Sequence, residues 1–313
     1  MKKYAFGVDI GGTTVKMGLF ETMGTLLDTW EIPTRKQENG RYILPDIADA
    51  VESKMEEKKL SRLDIEGIGM GVPGPVSPDG TVLKCVNLGW GVFNVEEELN
   101  RLTGFKVKAG NDANVAALGE MWQGGGKGYK NLVMVTLGTG VGGGVIIDGK
   151  ILPGATGAAG EIGHIPMRDD ETENCGCGKK GCLEQYASAT GIVRLTRRYL
   201  EAHKDKHVFT MLKDNYTAKD IFDAAKLGDK IALAMVDEVG IMLGKALAAT
   251  ACVVNPEAFV IGGGMAKAGE ILLNAIHKYY TEYAFHAARD VVFKEAELSN
   301  NAGIYGGVRL VLE

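Results

Sequence analysis

Clustered glycine constrains this chain more than any other feature. There are 44 glycines in 313 residues but only 8 prolines, and that glycine share is about twice the usual ~7%. No Gly/Ser-rich or other low-complexity tract holds them. They gather at 11–12, 71–74, 124–128, 138–144, 262–264 and 306–307, between apolar runs. Glycines so placed let backbone approach backbone, or backbone approach a phosphate. Either use needs a packed globular chain. A composition of 45% hydrophobic and 24% charged residues excludes disorder. The length suggests about two domains.

The apolar runs around the glycines read as strands alternating with helices. Tyr4 to Ile10 is a strand, Gly11-Gly12-Thr13-Thr14 a turn, and Val15 to Phe20 and Leu26 to Ile32 two more strands. Leu44, Ile47, Ala48, Val51 and Met55 lie at helical spacing. Strands follow at Ile65 to Met70 and Val107 to Ala109, the second running into Asn111-Asp112 and a helix through Trp122. Asn94, followed by three glutamates, looks like an N-cap. The opening pattern then returns. Leu132 to Leu137 is a strand, Gly138-Thr139-Gly140 a turn and Val145 to Ile147 a strand. This suggests two lobes on one plan. Helices are expected near 190–203, 217–226 (with a Thr217–Asp220 capping box) and 229–252. Ala258 to Ile261 is a strand ending in Gly262-Gly263-Gly264, followed by a helix from about Ala268 to Ala284. A strand at Val291 to Phe293 and a last helix, Ala302 to Leu312, complete an α/β class.

The net charge is −5, which argues against a nucleic-acid surface. The most apolar stretch, Val239 to Val254, is interrupted by Lys245 and is too short to span a membrane. Met1-Lys2-Lys3 could open a signal peptide, but Asp9 breaks the apolar core, so the protein is expected in the cytoplasm. Three of the five cysteines, Cys175, Cys177 and Cys182, sit within eight residues. In such a compartment this cluster reads as a metal site before a disulfide.

Each motif has a plain reading beside its chemical one. Asp9-Ile10-Gly11-Gly12-Thr13-Thr14 can be an ordinary hairpin turn. It can also offer N–H groups and hydroxyls to phosphate, with Asp9 holding magnesium through water. Gly138-Thr139-Gly140-Val141-Gly142-Gly143 fits the dinucleotide pattern formally, but a strand follows where that fold needs a helix. A Walker loop is also excluded, because none of the four Gly-Lys pairs precedes Ser or Thr. His164 with Cys175, Cys177 and Cys182 makes a closed tetrahedral set for a structural zinc, although another histidine could be the fourth ligand. The segment Arg168 to Asn174 between them is polar and is not expected to order itself by burial. Asp112, Glu161 and Glu184 stand beside glycine turns and the cysteine loop. Most acids are solvated surface groups, but acids there can bind a polyol and take a hydroxyl proton.

Taken together, these residues resemble the ROK family of sugar kinases and repressors, and within it the bacterial glucokinases. The matching segments are Asp9-Ile10-Gly11-Gly12-Thr13, Gly71-Val72-Pro73-Gly74, Asn87-Leu88-Gly89-Trp90, Asn111-Asp112-Ala113-Asn114 and Gly138-Thr139-Gly140. Glu161-Ile162-Gly163-His164, the run Cys175 to Glu184 and Ile261-Gly262-Gly263-Gly264 complete the likeness. It covers essentially the whole chain. The resemblance implies two RNase H-like lobes of the actin/hexokinase type with a cleft between them. The smaller would be residues 1–116 joined by the last helix, about 301–313. The larger would be 117–300, with the zinc loop at 164–184. It also implies Asp112 as general base, and Asn111, Glu161, His164 and Glu184 as sugar ligands beside it. Asp9, Gly11, Gly12, Thr13 and Thr14, with Gly138, Thr139, Gly140, Gly262, Gly263 and Gly264, would bind the nucleotide.

The activity so implied is phosphoryl transfer from magnesium-ATP to the 6-hydroxyl of glucose. Two rivals share the pattern. A sugar-sensing repressor would carry an N-terminal helix-turn-helix, for which a strand starting at Tyr4 leaves no room. A kinase for N-acetylmannosamine, fructose or allose, or one using polyphosphate, would use the same acids. The family commonly forms homodimers. The apolar helices near 229–254 and 268–286 could supply that surface or be core.

Overall fold

The computed structural model describes residues 2–204 and 209–313. The chain opens with an antiparallel meander, β1 (Tyr4–Ile10), β2 (Thr14–Glu21) and β3 (Leu26–Pro33). The short α1 (Gln37–Gly40) and α2 (Ile43–Lys58) follow, then β4 (Ile65–Val72). A small hairpin, β5 (Thr81–Val82) with β6 (Phe93–Asn94), precedes α3 (Val95–Thr103), β7 (Val107–Asn111) and α4 (Asp112–Gln123). The plan then restarts with β8 (Leu132–Leu137), β9 (Val141–Ile147) and β10 (Lys150–Ile151). Next come α5 (Glu184–Ala187), α6 (Ala189–Ala202), α7 (Ala218–Lys226) and α8 (Lys230–Val254). The chain ends with β11 (Ala258–Gly262), α9 (Glu270–Tyr283), β12 (Val292–Glu295) and α10 (Ala302–Val311).

The two large sheets have one plan. The first runs β3-β2-β1-β4-β7 and the second β10-β9-β8-β11-β12. Each places its opening meander on one side and adds two later strands on the other. β4 and β7 join the first sheet in parallel, as parallel strands reached through helices do. The repeat read from two short glycine segments is thus a duplicated α/β architecture.

The described residues form two compact units. One comprises 1–133, 144–160 and 297–313, the other 134–143 and 161–296. The expected boundary at 116 lies inside α4, a continuous helix. The division instead falls within β8 and β9.

In the first unit α2 lays its apolar stripe, Ile43 to Met55, into a core with Phe6, Val8, Ile68 and Met70. Burying such a side chain fully is worth about 1.5–3 kcal/mol. The last helix, α10, packs on β1, β4 and α4. Its approach is so close that a Cβ on Gly7 would stand 2.0 Å from the Ile304 carbonyl, and one on Gly69 1.7 Å from that of Gly307. This is backbone meeting backbone, the first of the two uses expected for clustered glycine. In the second unit α8 and α9 pack together through Gly240 and Gly244, so α8 buries its long apolar face as core.

Several elements differ from expectation. β9 begins at Val141, ahead of the expected Val145, so Gly142 to Gly144 lie in the strand. The reason is tertiary, since a Cβ on Gly144 would sit 2.7 Å from that of Ala117 on α4. A 3-10 turn, Gly264–Ala268, precedes α9. The two-residue strands and α5 are too short for any periodicity to announce them.

Candidate active site

The first unit brings Asp9 and Asp112 together. Asp9 is the last residue but one of β1, and Asp112 is the first residue of α4. Gly71 separates them. A Cβ there would stand 3.4 Å from the Asp112 Cα and 3.6 Å from Asp9 Oδ1. Burial and the neighbouring Asp112 push the Asp9 carboxyl up to about 6, partly offset by Lys16. Asn111 caps α4 by accepting from the Asn114 N–H at 3.2 Å. Its amide donates to the Gly74 carbonyl at 3.3 Å and to Asp112 Oδ1 at 3.0 Å, so the asparagine orients the acid beside it. Asp112 also accepts from the Ala113 N–H at 2.8 Å, where the helix start favours a negative charge.

The two hairpin turns are tied back alike. In the first unit the Thr34 hydroxyl donates to the Gly11 carbonyl at 2.7 Å, and the Thr34 N–H to the Thr13 carbonyl at 2.9 Å. In the second, the Thr190 hydroxyl donates to the Thr139 carbonyl at 2.8 Å, and the Ala189 N–H to the Gly138 carbonyl at 2.8 Å. Carbonyls so occupied leave the exposed Gly12, Thr13 and Thr139 at the tips. Added Cβ atoms at Gly12, Gly138 and Gly264 would meet nothing within 4 Å. Their bareness therefore serves no packing need, as a phosphate cradle requires. Gly263 differs. Its φ is +85°, and a Cβ would strike the Leu137 carbonyl at 2.4 Å, so it is needed to dock this turn beside β8.

His164, Cys175, Cys177 and Cys182 converge, with ligand atoms all within 4.8 Å of one another. The Cys177 and Cys182 sulfurs are 3.6 Å apart, and Cys175 Sγ lies 3.8 Å from His164 Nδ1. A tetrahedral ion about 2.3 Å from each sulfur sets neighbouring sulfurs about 3.8 Å apart, so the donor set fits zinc. Burial raises the Cys175 and Cys182 thiols, whereas a backbone N–H lowers exposed Cys177. Glu184, opening α5, touches both features. Its Oε1 accepts from the Cys175 thiol at 2.8 Å, and its Oε2 would lie 2.6 Å from a Cβ on Gly140. Glu161 is exposed and precedes the 3-10 turn that carries His164.

These features can be set beside known proteins. The model for the ROK family matches residues 5–313. The chain belongs to the ROK family. It is 45% identical to a glucokinase of Halalkalibacterium halodurans, covering 99% of this chain and 95% of that protein. A Streptomyces coelicolor glucokinase is 36% identical over 98% and 97%. A crystal structure of a Streptomyces griseus ROK glucokinase, in complex with glucose and AMPPNP, has a TM-score of 0.74 at 34% identity, covering 98% of each chain.

One part of this ROK chain departs from the sequence reading. The segment Arg168 to Asn174 does bury a side chain. Glu171 accepts from Tyr186 at 2.8 Å, from both Arg198 nitrogens at 2.9 and 3.0 Å and from Arg194 at 3.0 Å. These partners, Arg198 foremost, hold its carboxyl well below the usual range. A buried charge is tolerable when it is paired and hydrogen-bonded. The loop is therefore clipped twice, at the cysteines and at Glu171. Thr34, Thr190 and Glu171 had no local signal, since their partners lie far along the chain or across a turn. Among the described residues no helix is long and apolar enough to cross a membrane.

Proposed function

We propose that this chain transfers the γ-phosphoryl group of magnesium-ATP to the 6-hydroxyl of glucose, with Asp112 as the general base. The observation that carries the reading is the Asn111–Asp112 pair. It is a carboxylate fixed at a helix start by its neighbour's amide, across Gly71 from a second carboxylate. The likeness to glucokinases over nearly the whole chain supports the substrates.

The sugar oxygen attacks the γ-phosphorus, the bond to the ADP oxygen breaks, and the hydroxyl proton passes to Asp112. Such transfers depend on positioning and charge stabilisation. The bare turns at Gly11–Thr14, Gly138–Gly140 and Gly262–Gly264 offer N–H groups to the triphosphate. Magnesium, when bound with the nucleotide, supplies charge neutralisation, and Asp9 is the carboxylate to hold its hydration shell. Asn111, Glu161, His164 and Glu184 bind the sugar hydroxyls. His164 turns Nδ1 toward the cysteines, which leaves Nε2 for a hydroxyl.

His164, Cys175, Cys177 and Cys182 would hold a structural zinc that orders the loop. Its cysteine ligands must be thiolates. Cys175 then has no proton to give Glu184, and that carboxylate oxygen becomes available to the sugar. Reduced thiols fit a cytoplasmic enzyme. A homodimer or a higher homo-oligomer is the expected assembly, read by sedimentation.

The test is ADP release with magnesium-ATP against glucose, mannose, N-acetylmannosamine, N-acetylglucosamine, fructose and allose. Glucose should give the highest kcat/KM. A different winner keeps the chemistry and changes the acceptor. No turnover with any sugar defeats the proposal.

A further inference from the structure

Glu120 has no role in the chemistry above, yet it is the least expected residue in the first unit. It is a carboxylate with no solvent exposure in the last turn of α4. The negative end of a helix dipole disfavours an acid there, and burial disfavours its charge. Three backbone N–H groups compensate. Gly125 donates at 2.9 Å, Glu297 at 3.0 Å and Leu298 at 2.9 Å. The adjoining glycine run is shaped for this. A Cβ on Gly124 would stand 2.0 Å from Glu120 Oε2.

Two of those donors belong to the strand of chain that leads into α10. Glu120 thus clasps the approach to a helix far away in sequence. At its first turn α10 sets Gly303 against Asp9, where a Cβ would be 2.5 Å from the Asp9 Cγ. Farther along, it seats Ile304 on Gly7 of β1 and Gly306 on Val115 of α4. The wall behind the Asp9 carboxylate is therefore the backbone of α10, and the register of α10 begins at the Glu120 clasp.

We propose that Glu120 is a positioning residue for the phosphate-binding end of β1: by fixing where α10 enters, it sets the placement of Asp9 and the Gly11–Thr14 turn. This rests on the reading of Asp9 and that turn as the nucleotide end of the site. Among the described residues the Glu120 carboxylate bonds to Gly125, Glu297 and Leu298, and not to Asn111 or the cysteine loop, which are given to the sugar. The proposal thus separates two affinities that a loss of folding would change together.

The experiment is calorimetric binding of a non-hydrolysable ATP analogue with Mg2+, and separately of glucose, to the wild-type chain and to Glu120→Gln. The amide keeps the volume but turns an NH2 toward backbone donors. The expected result is nucleotide affinity weaker by about tenfold or more, with kcat/KM for ATP falling toward the ~10²-fold that a 1 Å misplacement costs. Glucose affinity should stay within about twofold by the same argument. Equal losses for both ligands, or no change in either, overturn the proposal. If the Gln variant does not fold, Gly303→Ala is read in the same way. It pushes α10 off Asp9 and leaves the clasp intact, and unchanged nucleotide affinity there also overturns the proposal. A wild-type chain that binds the analogue but phosphorylates no sugar defeats the kinase reading instead, and the clasp is still judged on nucleotide affinity.

Discussion

The two sheets have the same strand order, yet their ends have diverged. In the first unit the chain leaves β7 directly into α4, and the junction carries Asn111 and Asp112. In the second sheet the strand in the equivalent place, β12, ends at Glu295 and leads through a 3-10 turn, Ser299–Asn301, into α10. The opening hairpins stayed alike, each with a bare turn whose carbonyls are tied back by a threonine. The second unit instead gained the insertion between β10 and α6, with its cysteines, Glu171 and Glu184. One framework thus supplies two kinds of surface. The hairpins keep one form in both, while the Asn111–Asp112 junction of the first unit and the cysteine loop of the second carry the groups proposed above as proton acceptor and polyol ligands.

The sharpest break of that division of labour is Asp112→Asn. Turnover should fall by about 10²–10⁴-fold, the usual worth of a positioned base, while calorimetry still records glucose binding. A variant that keeps its turnover removes Asp112 from the chemistry. Next comes the cluster of the second unit. The wild-type chain should carry one zinc per chain by elemental analysis. Cys177→Ser should lose it and bind glucose about 10–100-fold more weakly, the scale seen when a metal's supporting groups are disturbed. Purified wild-type protein free of zinc would falsify this assignment.

A smaller effect distinguishes the carboxylate pair of the first unit. Asp9 is raised from 3.8 to about 6 in the folded chain by burial and by Asp112. A raised carboxyl contributes stability that is full below about pH 4 and is lost as pH rises through about 6. A rise from 3.8 to about 6 corresponds to about 3 kcal/mol. Asp9→Asn should therefore gain on the wild type between pH 4 and 7 in denaturant melts. A constant difference across that range would mean that Asp9 titrates as an ordinary surface acid. The smallest effect sharpens the likeness between the turns. Gly138→Ala has open space and should change stability by no more than about 1 kcal/mol, while raising the KM for ATP. Gly263→Ala should cost about 1–3 kcal/mol through its strained backbone. If Gly138→Ala melts early instead, that glycine is a packing residue like its neighbour.

Much of this was legible in the sequence because it is local. Strand and helix periods, the Asn94 and Thr217 caps, the glycine turns and the spacing of the cysteines all express interactions within a few residues. Their outcomes follow from rotamers, dihedral angles and short hydrogen bonds, so the order of elements and the repeated plan can be read directly. The buried clips could not. Glu120 reads as an ordinary helix-surface acid until residues 297–298 come back to it, and Glu171 as a solvated loop acid until α6 brings Arg194 and Arg198. The glycines divide in the same way. That they would permit close approach was determined by composition. Whether each one meets a carbonyl, as Gly7, Gly69 and Gly263 do, or meets nothing, as Gly12 and Gly138 do, was decided only when distant segments packed. A missing side chain has no preference of its own, and its use is set by what arrives beside it.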